Sequence, residues 1–222
     1  MIISSIVEDM KLKLDWCSHT AAKYAVEHWH YSRCMPKSKL VKIGVWEDGS
    51  FIGVVIFGAG ANYNLHKRYS VKTTEICELV RIALRKHKTP VTKIVAISLK
   101  MLRKVCPELK LVVSYADRDQ GHEGTIYKAG NWKLDGIATD EHYLLFGKKI
   151  HPKTVGDRYG TRSIPWIKKN IDPNVQKLKT LGKVRFFYQL RASSSNVEQQ
   201  PFQAEKGGAV PTDALQEQVT KE

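Results

Sequence analysis

Apolar positions change their period several times along the chain, and each change marks an element. Lys11 to Trp16 reads as a short strand. Ser18 or Thr20 then caps a helix running to about Trp29, favoured by Ala21, Ala22, Tyr24, Ala25 and Val26. Leu40 to Trp46 and Phe51 to Phe57 are β-branched or aromatic runs on either side of Glu47-Asp48-Gly49-Ser50, which predicts a hairpin. A fourth strand spans roughly Thr74 to Arg85. Its alternation places Cys77, Leu79, Arg81 and Ala83 on one face, and Ile76, Glu78, Val80, Ile82 and Leu84 on the other.

Thr89-Pro90 predicts the start of a second long helix, with Thr89 as N-cap and Pro90 at the first helical position. Val91, Ile94, Val95, Leu102 and Val105 form its apolar stripe, and Pro107 ends it. Leu109 to Tyr115 is a continuous apolar run, the mark of a buried parallel strand. A short helix follows from about Thr125 to Ala129, closed by Gly130. Trp132 to Ile137 and His142 to Phe146 predict a second hairpin. No internal repeat is visible.

Charge sharpens this picture. The 222 residues fit one domain with appendages and carry a formal +14. With 42% hydrophobic and 26% charged residues, a wholly disordered, collagen-like or disulfide-miniprotein chain is excluded. From Arg191 to Glu222 the net charge is −2, and this stretch lacks apolar periodicity, so it is expected to be disordered. From Lys148 to Arg185 there are eleven Lys or Arg against Asp157 and Asp172, a net +9, with Tyr159 and Trp166 interleaved. Charge of one sign at this density points to a polyanion, here nucleic acid. No apolar run approaches the ~18 residues of a membrane span, and the N-terminus lacks a basic signal-peptide region. A cytoplasmic protein without a membrane partner is expected. The four cysteines form no C-x-x-C pair, and Cys77 and Cys106 sit among apolar residues as expected of buried free thiols.

The element order resembles the GNAT acetyltransferase fold: an α+β architecture with a mostly antiparallel sheet, one splayed parallel pair of strands, and helices on both faces. Ile126-Tyr127-Lys128-Ala129-Gly130-Asn131-Trp132 is similar to the Y-x-x-x-G-F segment that ends the late helix of that family. The resemblance implies that Tyr127 protonates a departing thiolate and that acetyl-CoA is bound. Where the family carries a glycine-rich pyrophosphate loop, this chain has Arg85-Lys86-His87-Lys88-Thr89-Pro90. A helix N-terminus with basic side chains can hold an anion, so Arg81, Arg85, Lys86, Lys88 and Thr89 are the cofactor-binding candidates.

Between Trp29 and Thr161 the chain resembles a narrower family, the bacteriophage Mom DNA-modification proteins. His30-Tyr31-Ser32-Arg33-Cys34-Met35-Pro36, Cys77-Glu78-Leu79-Val80-Arg81, Ser114-Tyr115-Ala116-Asp117 and the Tyr127 helix carry the likeness. It implies conversion of adenine in DNA to its N6-carbamoylmethyl derivative, which protects phage DNA from host restriction. It also implies acetyl-CoA as group donor and an iron ion held by His30, Tyr31 and Asp117. Tyr31, Asp117 and Tyr127 are then the catalytic candidates. The expected layout is a catalytic core over residues 1–147, a basic DNA-binding extension over 148–190, and a disordered tail over 191–222.

Chemistry leaves alternatives at these residues. Asp117 can take a proton from the poorly nucleophilic N6 amine, bind a metal, or cap the turn after its strand. His30 can be a charged residue suited to a helix end, and Tyr31 can be packing. Because N6 is paired in a duplex, the target base must be turned out, with Trp29, Tyr63 and Trp132 as candidate walls. Lys148, Lys149, Lys153, Arg158, Arg162, Lys168 and Lys169 are the candidate phosphate contacts on double-stranded DNA. His19, His28, His87, His122 and His151 match no motif. An acetyltransferase acting on another amine, or a DNA-binding module without catalysis, are the competing functions.

Overall fold

The computed structural model describes residues 11–60, 62–138 and 141–191. In chain order the elements are β1 (Leu12–Trp16), α1 (His19–Trp29), β2 (Leu40–Glu47), β3 (Ser50–Gly58), α2 (Leu65–Arg68), β4 (Ile76–Leu84), α3 (Val91–Val105) and β5 (Leu111–Asp117). There follow α4 (Thr125–Ala129), β6 (Lys133–Ala138), β7 (His142–Leu145), β8 (Lys148–Ile150), α5 (Pro152–Tyr159), α6 (Ile164–Asn170), β9 (Gln176–Leu178) and β10 (Lys183–Gln189). Seven strands form the main sheet in the order β1-β2-β3-β4-β5-β10-β6. Every pair in it is antiparallel except β4 with β5.

Helices α3 and α4 cover one face of this sheet. Ile94, Val95, Leu99 and Leu102 of α3 and Tyr127 of α4 are buried against Val55, Phe57, Leu79, Val112 and Phe186. The opposite face is covered by α1, whose Ala22, Ala25 and Val26 pack on Val54, Ile56 and Ala83. Ser18 starts α1, its Oγ accepting the Ala21 N–H at 3.2 Å, a cap worth about 1 kcal/mol. This mixed architecture, with helices on both faces and one parallel pair, is the acetyltransferase-like fold expected from the sequence.

Two expectations about the last third of the chain are corrected. The second hairpin does not form: β6 pairs with β10, and β7 instead pairs with β8 and β9 in a separate three-stranded sheet. The basic stretch is therefore not an extension beyond the core, because its last strand lies inside the main sheet between β5 and β6. The cause is side-chain pattern. Val184, Phe186 and Tyr188 alternate along β10 and face α3 and α4, while Tyr143 and Leu145 of β7 are buried with Val155, Ile167 and Val175 in a cluster of their own. What lies between β6 and β10 is an insertion with its own small core. Of the tail expected to be disordered, only Arg191 is among the described residues. Among those residues no helix is long and apolar enough to cross a membrane.

Candidate active site

β4 and β5 are paired only at Ile76↔Leu111, Cys77↔Val112 and Glu78↔Val113, although both strands continue well past these residues. Backbone groups facing the resulting gap need other partners. The first, the Leu79 carbonyl, accepts the Ser114 hydroxyl at 3.0 Å. β4 also carries a bulge: Arg81 pairs with Ile56 and Leu79 with Phe57, leaving Val80 over. One extra residue reverses the alternation beyond it. Arg81 consequently shares a face with Glu78, its register partner Ile56 lying under α1, whereas unbroken alternation had put the two on opposite faces.

Tyr127 reaches the gap from the α3 side. Gly124, with φ +78°, opens α4, and a Cβ there would sit 2.2 Å from the Phe186 ring, so only glycine admits this approach. Tyr127 is 7% exposed, with its ring 5.1 Å from that of Phe186 and 5.2 Å from that of Trp132. Its hydroxyl lies 2.8 Å from Ser114 Oγ. Ser114 has one proton and the Leu79 carbonyl can only accept, so Tyr127 donates to Ser114 and Ser114 to Leu79. Burial pushes the Tyr127 phenol up to about 12. It holds its proton at neutral pH, as a general acid must.

His30, Tyr31, Asp117 and Arg81 meet on the opposite face. Asp117 ends β5, and its side chain accepts the Asp119 N–H at 3.1 Å, so it does cap the following turn. Directly across the ladder from it stands Lys183 of β10. Tyr31 is half exposed, its ring 4.3 Å from that of His30 and 5.6 Å from that of His122. Burial raises its phenol pKa and Asp117 adds to this, while Lys183 and Arg81 act in the opposite sense. Arg81 donates to the Val80 carbonyl at 2.7 Å and the Cys34 carbonyl at 3.3 Å, but its Nε is buried without a hydrogen-bond partner.

The donor chemistry of His30 does not suit a metal ligand. The Ser32 backbone N–H points at His30 Nδ1 from 3.1 Å, and a backbone N–H can only donate. Nδ1 therefore presents its lone pair to Ser32, and the neutral ring carries its proton on Nε2. Burial first, then Arg81 and His122, lower the ring's pKa to about 4. It is neutral at pH 7, which also corrects the reading of a charged histidine at a helix end. Among the described residues no group of three or more His, Cys, Asp or Glu side chains is placed to hold a metal ion. With Nδ1 engaged by Ser32, His30 as placed offers no free ring lone pair to the iron expected on His30, Tyr31 and Asp117.

Burying a neutral histidine links stability to pH. The unfolded chain takes up this proton near 6.5, the folded chain only near 4. Stability is thus full above 6.5 and falls as pH drops toward 4, by about 2 kcal/mol after allowance for partial solvent exposure. Urea unfolding at pH 7 and 4.5 should show this loss, and His30→Asn should remove that share of it. An unchanged pH dependence in the variant would show that His30 titrates normally in the folded protein.

The loop between β4 and α3 differs from expectation at Thr89. Thr89 is not the helix cap; Pro90 holds that position without a side-chain bond. Instead the Thr89 N–H and hydroxyl both donate to Glu47 Oε1, at 2.7 and 2.6 Å, and the Lys88 N–H donates to Oε2 at 2.9 Å. These bonds hold the Glu47 carboxyl below the usual carboxylate range. A carboxylate of the protein itself thus fills part of the expected pyrophosphate cradle, and Thr89 has no donor left for a ligand. The side chains of Arg85, Lys86 and Lys88 stay exposed.

Of the expected phosphate contacts, Lys148, Lys153, Arg158, Lys168 and Lys169 are exposed on the insertion. Lys149 is also exposed, but it is engaged in an ion pair with Asp119 at 2.7 Å. Arg162 is exposed, with its stem lying over Gly156. Trp132 is 6% exposed core, and Trp29 packs on the cluster under α1, which removes both as walls; Tyr63 is 81% exposed. Lys183, His122, Ser114 and Glu47 are the site residues the sequence reading missed. The alternation Val184, Phe186, Tyr188 was the available signal for Lys183; the other three had none.

A family model described as the Mom protein family matches residues 11–204. A methylcarbamoylase Mom of Escherichia phage Mu is 26% identical over 160 residues, covering 69% of this chain and 66% of that protein. This chain thus spans just under two thirds of that relative. Among solved structures, an aminoglycoside 6'-acetyltransferase of type Ii is similar over 82% of this chain and 99% of its own, with 7% identity and a TM-score of 0.48. A spermidine N-acetyltransferase from Vibrio cholerae, solved with CoA and spermine, is similar over 81% and 95%, with 9% identity and a TM-score of 0.46.

Proposed function

We propose that this chain, which belongs to the Mom protein family, is a transferase that modifies adenine in double-stranded DNA, placing a carbamoylmethyl group on N6 and so shielding phage DNA from restriction. The observation that carries the reading is the pairing of a buried protonated acid with an open carboxylate across one strand gap. Tyr127 lies on the α3 side, bonded to Ser114, and Asp117 lies on the other, beside Lys183 and within the electrostatic reach of Tyr31.

Adenine N6 is a weak nucleophile because its lone pair is delocalised into the ring. Asp117 accepts the N6 proton as the new C–N bond forms. The Arg81 Nε, buried and lacking a partner, donates to an acceptor on the incoming base or donor. Tyr127 supplies the proton that a leaving group needs. Acyl transfer from acetyl-CoA itself would leave an acetyl group on N6, so the donor in this reading carries the intact carbamoylmethyl group on a coenzyme A-like thiol. The N6–CH2 bond forms as the CH2–S bond breaks, and the departing thiolate takes the Tyr127 proton. The donor's phosphates are held by the exposed side chains of Arg85, Lys86 and Lys88, since Glu47 occupies the loop N–H groups of Lys88 and Thr89. The exposed cations of the insertion hold the DNA backbone.

Expression in bacteria followed by mass spectrometry of the digested DNA tests this directly. A deoxyadenosine derivative heavier by one carbamoylmethyl group is expected. An unchanged deoxyadenosine pool from soluble, folded protein overturns the reading.

A further inference from the structure

β7 and β8 are joined by the two-residue turn Phe146-Gly147, in which φ is +49° and +70°. Positive φ at both central residues defines the type I′ hairpin turn, whose first position is normally Asn, Asp or Gly. A bulky side chain there is strained. Phe146 occupies it and is 60% exposed, so core packing does not compensate. The backbone beneath the ring is nonetheless fixed. The Phe146 N–H donates to Asp172 Oδ2 at 2.7 Å, and Asp172 is 5% exposed, its other oxygen accepting the Asn174 N–H at 2.9 Å.

The surroundings indicate what the ring meets. Lys148 and Lys149 follow the turn at once, on an insertion dense in cations. Lys149 pairs with Asp119 at 2.7 Å, and the Leu181 N–H donates to the other oxygen of Asp119 at 3.1 Å. Asp119 in turn donates its backbone N–H to Asp117. The hairpin carrying Phe146 and the strand end carrying Asp117 therefore share one anchor.

We propose that Phe146 is a wedge that enters the DNA stack and fills the space left by the adenine turned out to Asp117. This rests on the DNA-modifying reading above. An apolar ring on a rigid, strained, cation-flanked tip is the device by which proteins unstack a duplex, and a base whose N6 is paired must be unstacked before it can react.

The test uses the full chain and duplexes carrying 2-aminopurine in place of one adenine, flanked by every nearest-neighbour pair. Wild type and Phe146→Leu should raise the 2-aminopurine fluorescence on binding. Phe146→Asn, which suits the turn, should melt at or above the wild-type temperature. It should lose about tenfold of the fluorescence rise, with less than about threefold change in DNA affinity. Wild type and Phe146→Asn should converge when the 2-aminopurine stands opposite an abasic site. Equal signals from both proteins on the paired duplex overturn the wedge, as does a loss that persists on the unpaired one. Wild-type protein without DNA affinity overturns the DNA reading and the wedge together, whereas full affinity with no dependence on Phe146 overturns the wedge alone.

Discussion

Asp117→Asn should lower adenine modification in expressing cells by about 10²–10⁴-fold, the range that a positioned general base contributes, while DNA affinity and thermal stability stay near wild type. The substitution isolates chemistry from structure because of the bond the side chain makes. Asp117 caps the next turn by accepting the Asp119 N–H, and the amide oxygen of asparagine accepts it equally well. What asparagine cannot do is take a proton from N6. Modified nucleoside per total deoxyadenosine, measured by mass spectrometry at equal protein level, is the readout. Activity retained within a few-fold removes Asp117 as the base.

Asp135→Ala should have the largest effect on stability. Asp135 lies on the edge strand β6 and gathers three partners. Arg185 Nε reaches Oδ2 at 2.6 Å and Arg185 Nη2 reaches the Asp135 carbonyl at 3.0 Å. Arg68 donates to both carboxylate oxygens, at 2.9 and 3.1 Å, and the Tyr69 hydroxyl donates at 2.5 Å. Burial alone would raise the carboxyl pKa, but Arg68, Tyr69 and Arg185 outweigh it and hold the group below its ordinary value. The Arg185 side chain is only 11% exposed. Removing its anion leaves a buried charge uncompensated, which costs about 3–5 kcal/mol. In a domain of this size that is a fall in Tm of about 6–20 °C. A loss below about 1 kcal/mol would mean that β6 is held to β10 by its backbone ladder alone. Asp135→Asn, which keeps acceptors for Tyr69 and one arginine, should lose less.

The two predictions draw on parts of the chain that differ in how readable they were. Strands β1 to β5 with α1, α3 and α4 follow from local pattern, because each buries a stripe or face whose period is visible within a few residues. The strand end at Asp117 and the helix carrying Tyr127 belong to this readable part. β10 is different. Its alternation is present in Lys183–Gln189, but nothing local says that it enters the sheet between β5 and β6. That pairing spans the whole insertion, so Lys183 was counted as one more surface cation and its place opposite Asp117 was invisible.

The remaining errors share a physical origin. The bulge at Val80 has no composition of its own, so simple alternation misplaced Arg81 relative to Glu78. Thr89-Pro90 has the form of a helix cap, yet Glu47, from the end of a distant strand, claims its donors. Lys149 counts as a free cation in any sum of charges, and only the fold brings Asp119 to it. Local chemistry shows what a residue is able to bond; tertiary contact decides what it does bond.

The interior position of β10 also sets an order of events during synthesis. As the chain leaves the ribosome, β5 and β6 emerge with a gap between them, each presenting an unpaired inner edge. The insertion, with its own small core, can form while that gap stands open. Only when Gln189 has emerged does the last strand slide between its neighbours, bring Lys183 opposite Asp117, and let Arg185 reach Asp135. A nascent chain thus carries its cationic insertion before Lys183 stands opposite Asp117, and any truncation ahead of Lys183 removes the strand that joins β5 to β6.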